Sequence, residues 1–181
     1  MKEIRIHGRG GQGSVTAAEL LAVAAFTDGK ISQAFPAFGS ERMGAPVQAF
    51  CRISDKKIRT RTQIHHPNYV IVQDASLLKD VDVFEGLKAD GMAIINTDKT
   101  PEELGVPAGV NVKTIAATAI ARDVIGRPIP NTVLVGAFAG FTGEITVDAI
   151  KESVKHRFAG KVGDLNADAI QKAYDLVREE K

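Results

Sequence analysis

The first third of the chain places its apolar residues in two different rhythms. Residues Glu3 to His7 alternate one by one, which predicts a strand. The glycine-rich stretch Gly8 to Gly13 interrupts it, and apolar residues then recur every three or four positions up to Asp28-Gly29. That spacing predicts a helix with a glycine stop, and Ile31 to Phe35 predicts a second strand ended by a proline. The opening therefore indicates a strand–helix–strand unit with a tight glycine turn.

The middle of the chain predicts mainly extended structure. Pro46 to Ile53 and Ile58 to Ile64 flank a polar turn, and we interpret them as an antiparallel hairpin inserted into the α/β pattern. Three later apolar runs are typical of buried parallel strands: Tyr69 to Gln73, Met92 to Asn96 and Val110 to Ile115. Short helices are expected between these runs, around Leu77 to Phe84 and around Pro101 to Leu104.

The last third predicts helices. Ala116 to Ile125 is rich in alanine, and Thr132 to Phe141 is apolar almost all round, which indicates a buried or interface helix. Apolar stripes follow from Val147 to Phe158 and from Ile170 to Val177, the last with Asn166 as its expected cap. We therefore expect residues 1–181 to form a single α/β domain with a mostly parallel sheet, an inserted β-hairpin and a helical C-terminal part.

Charge and composition narrow the function classes. Among 181 residues, 23 basic side chains face 22 acidic ones, so the net charge of +1 supplies no overall field for nucleic acid or anionic lipid. The lack of Trp also argues against a base-stacking surface. The N-terminus shows no apolar signal segment, and no apolar run approaches the ~20 residues of a membrane helix. We expect a cytoplasmic protein with no nucleic-acid or membrane partner.

Metal chemistry is limited by a single cysteine. Cys51 cannot form an internal disulfide, nor can it hold an iron–sulfur cluster, which needs about four thiolates. His65 and His66 are adjacent, lack thiol partners at zinc spacing and precede Pro67, which favours a turn. We expect Cys51 to be a packed thiol and this chain to hold no metal.

The stretch Gly8-Arg9-Gly10-Gly11-Gln12-Gly13 fits the pattern G-x-G-x-x-G between a strand and a helix. Glycines let a phosphate approach the backbone, the helix start offers free N–H groups, and Arg9 would add a bidentate contact. A dinucleotide site also requires an acid about 20 positions further on. Ser32 to Phe35 contains no carboxylate, which disfavours NAD and FAD. A tight packing turn, an anion-binding loop and a subunit contact stay open.

A second unusual loop runs from Phe38 to Val47. Its sequence FGSERMGAPV surrounds the adjacent pair Glu41 and Arg42 with glycines and small residues, so the charges are presented without bulky neighbours. On local sequence alone, a solvated charge pair in a crossover loop is the alternative.

Three segments together carry a family resemblance: HGRGGQG, PAFGSERMGAPV, and RPIPNT followed by LVGA. In this order they resemble the gamma subunits of pyruvate:ferredoxin and related 2-oxoacid:acceptor oxidoreductases, over essentially the whole chain. The resemblance implies a Rossmann-like three-layer domain. It also implies an enzyme that converts a 2-oxoacid, coenzyme A and oxidised ferredoxin to acyl-CoA, carbon dioxide and reduced ferredoxin.

The resemblance places the reactive groups outside this chain. In the family, thiamine diphosphate with magnesium and the 4Fe–4S clusters belong mainly to alpha, beta and delta subunits, and ferredoxin is met through the complex. Coenzyme A is a substrate. The single cysteine and the lack of a G-D-G…N-N segment agree with an accessory subunit that contributes no catalytic residue and holds no cofactor alone. Its expected role is to handle coenzyme A and to assemble the complex.

Alternatives to this assignment stay open on the sequence. Pyruvate is the first choice of substrate, because the second loop looks closest to the pyruvate type. Gamma subunits of 2-oxoisovalerate, 2-oxoglutarate or indolepyruvate oxidoreductases are alternatives. A free-standing Rossmann-like nucleotide-binding protein and a purely structural subunit are further ones.

The resemblance also suggests residues that face coenzyme A. Glu41 stands where related enzymes have a lysine, which leaves it the role of orienting Arg42. Asn131 lies where the family approaches the coenzyme or a neighbouring subunit, and helix capping is an equal alternative. The full candidate set is Arg9, Gly10, Gly11, Gln12, Gly13, Ser40, Glu41, Arg42 and Asn131.

A basic cluster lies on the expected hairpin. Lys56, Lys57, Arg59 and Arg61 fall within six positions, and alternation places Arg59 and Arg61 on one face. This cluster is interpreted as a solvated strand face or, alternatively, as a subunit contact.

Overall fold

The structure is a computed structural model that describes residues 1–37 and 42–179. It has six strands: β1 (Lys2–Arg9), β2 (Ile31–Pro36), β3 (Pro46–Ser54), β4 (Tyr69–Val72), β5 (Met92–Asn96) and β6 (Val112–Ile115). It has five α-helices: α1 (Ser14–Thr27), α2 (Ala117–Ile125), α3 (Asn131–Thr142), α4 (Val147–Arg157) and α5 (Lys161–Glu179). One short 3-10 helix spans Ala75–Lys79. These counts refer to the two ranges given above.

The strands form one mixed sheet in the order β2-β3-β1-β4-β5-β6. Strand β4 runs parallel to β1, and β5 and β6 continue in the same direction. Strand β3 is antiparallel to both β1 and β2, so it alone runs the other way. The expected α/β fold with a mostly parallel sheet is thereby confirmed.

An antiparallel hairpin is present, but its arms differ from the expected ones. Strand β2 pairs with β3 from Ile31 opposite Ser54 to Pro36 opposite Ala49. The expectation that residues 58–64 form the second arm was wrong, because β1 and β2 already occupy both sides of β3. Residues 58–64 instead cross over the sheet without strand pairing.

All five helices described lie on one face of the sheet. Ile4 and Ile6 of β1 and their neighbours on β4 and β5 share one apolar core with α1, α3, α4 and α5. Helix α3 is buried from Asn131 to Phe141. A β-carbon on Gly136 would lie 2.6 Å from the carbonyl oxygen of Ile170, so this glycine lets α5 pack closely against α3. The predicted buried helix is therefore confirmed.

The other face is covered by irregular chain rather than by helices. Val70, Val72 and Ile95 form a smaller core there with side chains of residues 75–110. The expected helices around Leu77 to Phe84 and Pro101 to Leu104 were wrong, apart from the short 3-10 turn. Asp74 and Asp82 accept hydrogen bonds from backbone N–H groups two residues on, at 3.0 Å each. Such local bonds compete with helix formation.

Two buried arginines hold this irregular layer to the sheet. Arg52 is 2% exposed, forms an ion pair with Glu3 at 2.9 Å and donates to the carbonyl oxygen of Thr62 at 2.6 Å. Arg5 donates to carbonyl oxygens of Val83 (3.1 Å) and Glu85 (2.6 Å). The guanidinium groups thus satisfy carbonyl groups that would otherwise be buried without partners.

Two smaller sequence expectations can also be checked. Asn166 lies inside α5 rather than at its start, so its expected capping role was wrong. Its side chain accepts a 2.7 Å hydrogen bond from Thr132 and thereby links α5 to α3. Cys51 is buried, as expected of a packed thiol, and burial raises the pKa of its thiol. Within the described ranges, no helix is long and apolar enough to cross a bilayer.

Candidate functional site

The glycine-rich segment Gly8 to Gly13, called the glycine loop below, lies at the point in the sheet where successive strands are added on opposite sides of β1. From β1 the chain first adds β2 and β3 on one side and then adds β4, β5 and β6 on the other. Loops at the carboxyl ends of β1 and β4 therefore diverge and leave a crevice, which is where open α/β sheets commonly bind ligands. The expected position of the glycine loop, between a strand and a helix, is confirmed.

The backbone of Gly10 is hydrogen-bonded to Gly44 and Ala45 of the second loop. Its N–H donates to the carbonyl oxygen of Ala45 at 2.9 Å, and its carbonyl oxygen accepts from the N–H of Gly44 at 3.1 Å. A β-carbon on Gly10 would collide with the carbonyl oxygen of Arg42. Gly10 is therefore required for the two loops to pack against each other, and its N–H is already used.

Gly11 and Gly13 have positive φ angles of 94° and 76°, which favour glycine. Gly13 is the N-cap of α1, and no described side chain caps this helix start. A β-carbon on Gly13 would lie 2.5 Å from the amide nitrogen of Asn131. The first turn of α1 therefore presents free N–H groups at the mouth of the loop.

Arg9 is held by carboxylates of the irregular layer. Its guanidinium contacts Asp80 at 2.6 Å and Asp74 at 3.5 Å, and it donates to the Ser76 hydroxyl at 2.7 Å. The hydrogen bond to Asp80 raises the pKa of Arg9, so this side chain stays charged. Because two acids already neutralise Arg9, the structure places it as a brace of the glycine loop.

Asp74 links the glycine loop to the end of β4. Its carboxylate accepts from Gln12 Nε2 at 3.0 Å and from the Ser76 hydroxyl at 2.6 Å. Burial alone would raise the pKa of Asp74, but hydrogen bonds from Ser76 and Gln12 and the charge of Arg9 outweigh it and lower the pKa. Asp74 also occupies the end of the strand beside β1, where a dinucleotide site has its acid. Its oxygens are already bonded to protein groups.

Gln12 separates two depressions of different character. One is an open crevice of about 530 Å³ whose lining includes Asp74, Asp98 and Arg122. The other is a more enclosed cavity of about 340 Å³. The cavity contains no carboxylate among its described lining residues and includes Arg127. An anionic ligand with an apolar part therefore fits the cavity better than the crevice.

The 340 Å³ cavity brings together four of the candidate residues from the sequence. Gly11, Gln12, Gly13 and Asn131 line it, whereas Arg9, Gly10 and Arg42 do not. Other lining residues come from α1, the end of α2, the segment before α3, the residue after α4 and the first turns of α5: Thr16, Ile125, Arg127, Ile129, Phe158, Val162, Leu165 and Asn166. The uncapped start of α1 and the Arg127 side chain contribute positive charge to the lining of this cavity, and the aliphatic side chains contribute apolar surface.

The Asn131 side chain contacts both the first turn of α3 and the glycine loop. Its Oδ1 accepts from the N–H of Thr132 at 2.9 Å, but Asn131 is the first residue of α3 and Pro130 is the N-cap, so the capping alternative was wrong. Its Nδ2 approaches the carbonyl oxygen of Gly13 at 3.4 Å, so the same side chain touches the glycine loop. Arg42 is exposed beside Gly10. Ser40 and Glu41 lie outside the described residues.

Sequence reasoning missed Arg127, Thr16 and Phe158 as neighbours of the glycine loop. Arg127 opens the segment RPIPNT, four positions before Asn131, so the sequence could have indicated that it lies near the same site. Phe158 had no such signal, because it ended a helical stripe more than a hundred positions away.

Comparisons with known proteins agree on one family. The family described as pyruvate ferredoxin/flavodoxin oxidoreductase matches residues 3–176. The chain is 64% identical over 180 residues to pyruvate synthase subunit PorC of Methanosarcina barkeri, covering 99% of both chains. It is 51% identical to the pyruvate/ketoisovalerate oxidoreductases common subunit gamma of Thermococcus litoralis, covering 97% of this chain and 96% of the relative. Among solved structures, pyruvate oxidoreductase subunit PORC of Thermotoga maritima superposes with a TM-score of 0.85 at 39% identity, covering 96% and 95%.

Proposed function

Because this chain belongs to the pyruvate ferredoxin/flavodoxin oxidoreductase family, we propose that it is the gamma-type subunit of a pyruvate synthase. The reaction is the oxidative decarboxylation of pyruvate with coenzyme A to acetyl-CoA, carbon dioxide and reduced ferredoxin. The proposal includes alpha, beta and delta subunits as partners, ferredoxin met through the complex, and a cytoplasmic location. Near-complete mutual coverage with subunits of that name supports it.

The reactive cofactors are assigned to the partner subunits. Thiamine diphosphate supplies the carbanion chemistry of such enzymes, and iron–sulfur clusters carry the electrons away. The residues that the structure describes do not fit an iron–sulfur cluster or a metal ion. Its one cysteine is buried with a raised thiol pKa, and the described residues form no group of three or more side chains able to hold a metal. The chain therefore acts by binding and positioning.

For coenzyme A, the proposed contact is the 340 Å³ cavity beside the glycine loop. A phosphate would meet the free N–H groups at the start of α1 and the Arg127 guanidinium. The apolar part of the coenzyme would lie against Ile129 and Phe158. The observation that carries this proposal is the uncapped helix start at Gly13, which opens into a cavity lined by a cation and apolar side chains.

A kinetic comparison in the assembled enzyme tests this role. Arg127→Ala should raise the KM for coenzyme A about ten-fold, the equivalent of one charged contact of ~1.4 kcal/mol, with kcat and assembly unchanged. Arg122→Ala removes another exposed arginine, one that lines the open crevice instead, and should leave that KM unchanged. In the same assay, Arg42→Ala tests whether the second loop also contacts coenzyme A, which would likewise raise the KM.

The alternative outcomes have distinct meanings. Dissociation of the complex, or a loss of activity that does not depend on the concentration of coenzyme A, would indicate a purely structural clamp. Equal effects of Arg127→Ala and Arg122→Ala would contradict a contact specific to the cavity. An unchanged KM in both variants would remove the cavity from the coenzyme A site.

A second 2-oxoacid is a specific alternative. The Thermococcus litoralis relative is named as a subunit common to pyruvate and ketoisovalerate oxidoreductases. This name favours a gamma subunit that is compatible with more than one 2-oxoacid, with substrate choice made by other chains. Assaying the same preparation with 2-oxoisovalerate, 2-oxoglutarate and indolepyruvate separates these possibilities.

A further inference from the structure

Four cations fall on one short exposed segment, which we call the basic strip: Lys56, Lys57, Arg59 and Arg61. All four side chains are exposed. Asp55 directly precedes the strip, and the next acidic residue after it is Asp74, so Asp55 is the one acid close to the strip in sequence. Of the ion pairs formed between described residues, none involves a member of the strip, whereas Lys155 and Lys172, for example, each pair with an aspartate.

The backbone of this segment is fixed from below. Arg52 donates to the carbonyl oxygen of Thr62 at 2.6 Å and is itself held by Glu3 at 2.9 Å. Arg5 reaches the carbonyl oxygen of Ile64 at 3.5 Å. These two arginines are buried, with exposed fractions of 2% and 5%, so they anchor the chain just after the strip and are not part of its surface.

Local contacts fix which side chains face outward. The hydroxyls of Thr60 and Thr62 are 3.0 Å apart, which closes a small turn. Ile58 and Thr60 are half-buried, while Lys57, Arg59 and Arg61 are exposed. The expected alternation therefore holds from Lys57 to Arg61 although no strand forms, and it ends at Thr62, which is exposed as well.

A fixed row of unpaired like charges costs free energy through mutual repulsion unless an oppositely charged surface covers it. Because the chain directly after it is anchored, the row loses less conformational freedom than a free loop when a partner binds. Resting on the proposed function, we propose that the basic strip is the docking surface for an acidic face of another subunit of the same oxidoreductase.

The rest of the molecule favours a protein partner over other acidic macromolecules. The whole chain carries a net charge of only +1, so outside the strip acids slightly exceed bases. Nucleic acids and anionic membranes bind extended basic surfaces, and the charge of the rest of the chain does not extend the strip into one.

Charge reversal in the complex tests the proposal. Arg59→Glu/Arg61→Glu should weaken capture of the partner subunits by the tagged chain at least about ten-fold near 0.1 M NaCl, because it places like charges across the contact. Arg59→Ala/Arg61→Ala should give a smaller loss, and high salt should reduce the difference from the wild type. The control, Lys99→Glu/Lys113→Glu, makes the same net change at two exposed lysines without ion pairs among described residues and should bind normally.

Each result has one meaning. If the wild-type chain captures no subunit, the proposed function fails before the strip is tested. If the wild type assembles and the Arg59→Glu/Arg61→Glu variant assembles equally well, the strip proposal is overturned. The same holds if assembly is normal and only the KM for the electron acceptor rises, or if the Lys99→Glu/Lys113→Glu control weakens capture as much. Circular dichroism of each isolated chain checks that loss of capture does not reflect unfolding.

Discussion

Gln12 and Asp74 lie 62 positions apart in the sequence, and Gln12 Nε2 donates a 3.0 Å hydrogen bond to Asp74 Oδ2. The other end of the Gln12 amide accepts from the N–H of Arg9 at 2.7 Å. One side chain therefore fixes the glycine loop to itself and to the end of β4. The loop is shaped before any ligand arrives, which lowers the entropy cost of binding.

Replacing Asp74 tests this brace. Asp74→Asn replaces one carboxylate oxygen with an NH2 group, so a hydrogen-bond donor now faces the donors of Gln12 and Arg9. We expect a loss of about 1–2 kcal/mol in the free energy of unfolding, measured by urea denaturation. Asp98→Asn, at an exposed residue lining the same crevice, should change it little. Equal stability of the two variants would contradict the bracing role.

His7 predicts a dependence of stability on pH. Burial, and then the charge of Arg5, lower the pKa of His7 to about 3, against about 6.5 in an unfolded chain. Between these values the unfolded state takes up the proton and the native state does not. Stability should therefore be complete above pH ~6.5 and fall towards pH ~3, by roughly 1.4 kcal/mol per pH unit at most.

Comparing variants isolates the contribution of His7. His7→Gln keeps an acceptor for Arg5 Nε, which lies 2.9 Å from the imidazole, and should flatten the stability profile in this pH window. His156→Gln removes an exposed histidine and should leave the profile as in the wild type. Urea titrations at several pH values measure both, and a His7→Gln profile as steep as the wild type would refute the assignment.

The buried pair of Arg52 and Glu3 predicts asymmetric costs. Arg52→Met leaves Glu3, which is 19% exposed, with only Lys88 at 3.9 Å and leaves the carbonyl oxygen of Thr62 without its donor. It should lower the free energy of unfolding by about 2–4 kcal/mol. The double variant Arg52→Met/Glu3→Met should recover part of that loss. A double-mutant cycle measured by chemical denaturation gives the coupling, and additive losses would show that the two side chains act independently.

Substituting Gly10 should cost stability through a steric clash, whereas substituting Gly29 should cost stability through backbone strain alone. Gly10→Ala drives a β-carbon into the backbone of Arg42, so the two loops must separate, and we expect a loss of about 1–3 kcal/mol. Gly29→Ala adds a β-carbon with open space around it at a φ of 80° and should cost about 1–2 kcal/mol from backbone strain alone. Only Gly10→Ala should also increase proteolytic cleavage within residues 42–45.

Local pattern predicted most of the elements. Met92–Asn96 was expected as a strand and is one, and the helix expected from Thr132 begins one residue earlier at Asn131. The strand predicted at residues 58–64 was wrong because alternation shows which side chains face outward but not which group the backbone will hydrogen-bond to. Here the partner is the guanidinium of Arg52 rather than a neighbouring strand.

The candidate site was predictable in position and only partly in composition. The glycine pattern located the loop, and Asn131 came from the motif that contains it. The dinucleotide pattern predicts an acidic residue after the second strand in sequence. In this fold the parallel neighbour of β1 is β4, and Asp74 lies just beyond the end of β4. That relationship depends on strand order, which local sequence does not contain. The approach of Phe158 to the loop depends on helix packing for the same reason.

The most direct test of the proposed function is an anaerobic pull-down of the tagged chain from its native host. The eluate is assayed for reduction of a viologen dye by pyruvate, with and without coenzyme A. We expect iron–sulfur subunits on the beads and dye reduction that requires both pyruvate and coenzyme A. A colourless, partner-free chain that binds nucleotides alone would contradict the account and favour a free-standing nucleotide-binding protein.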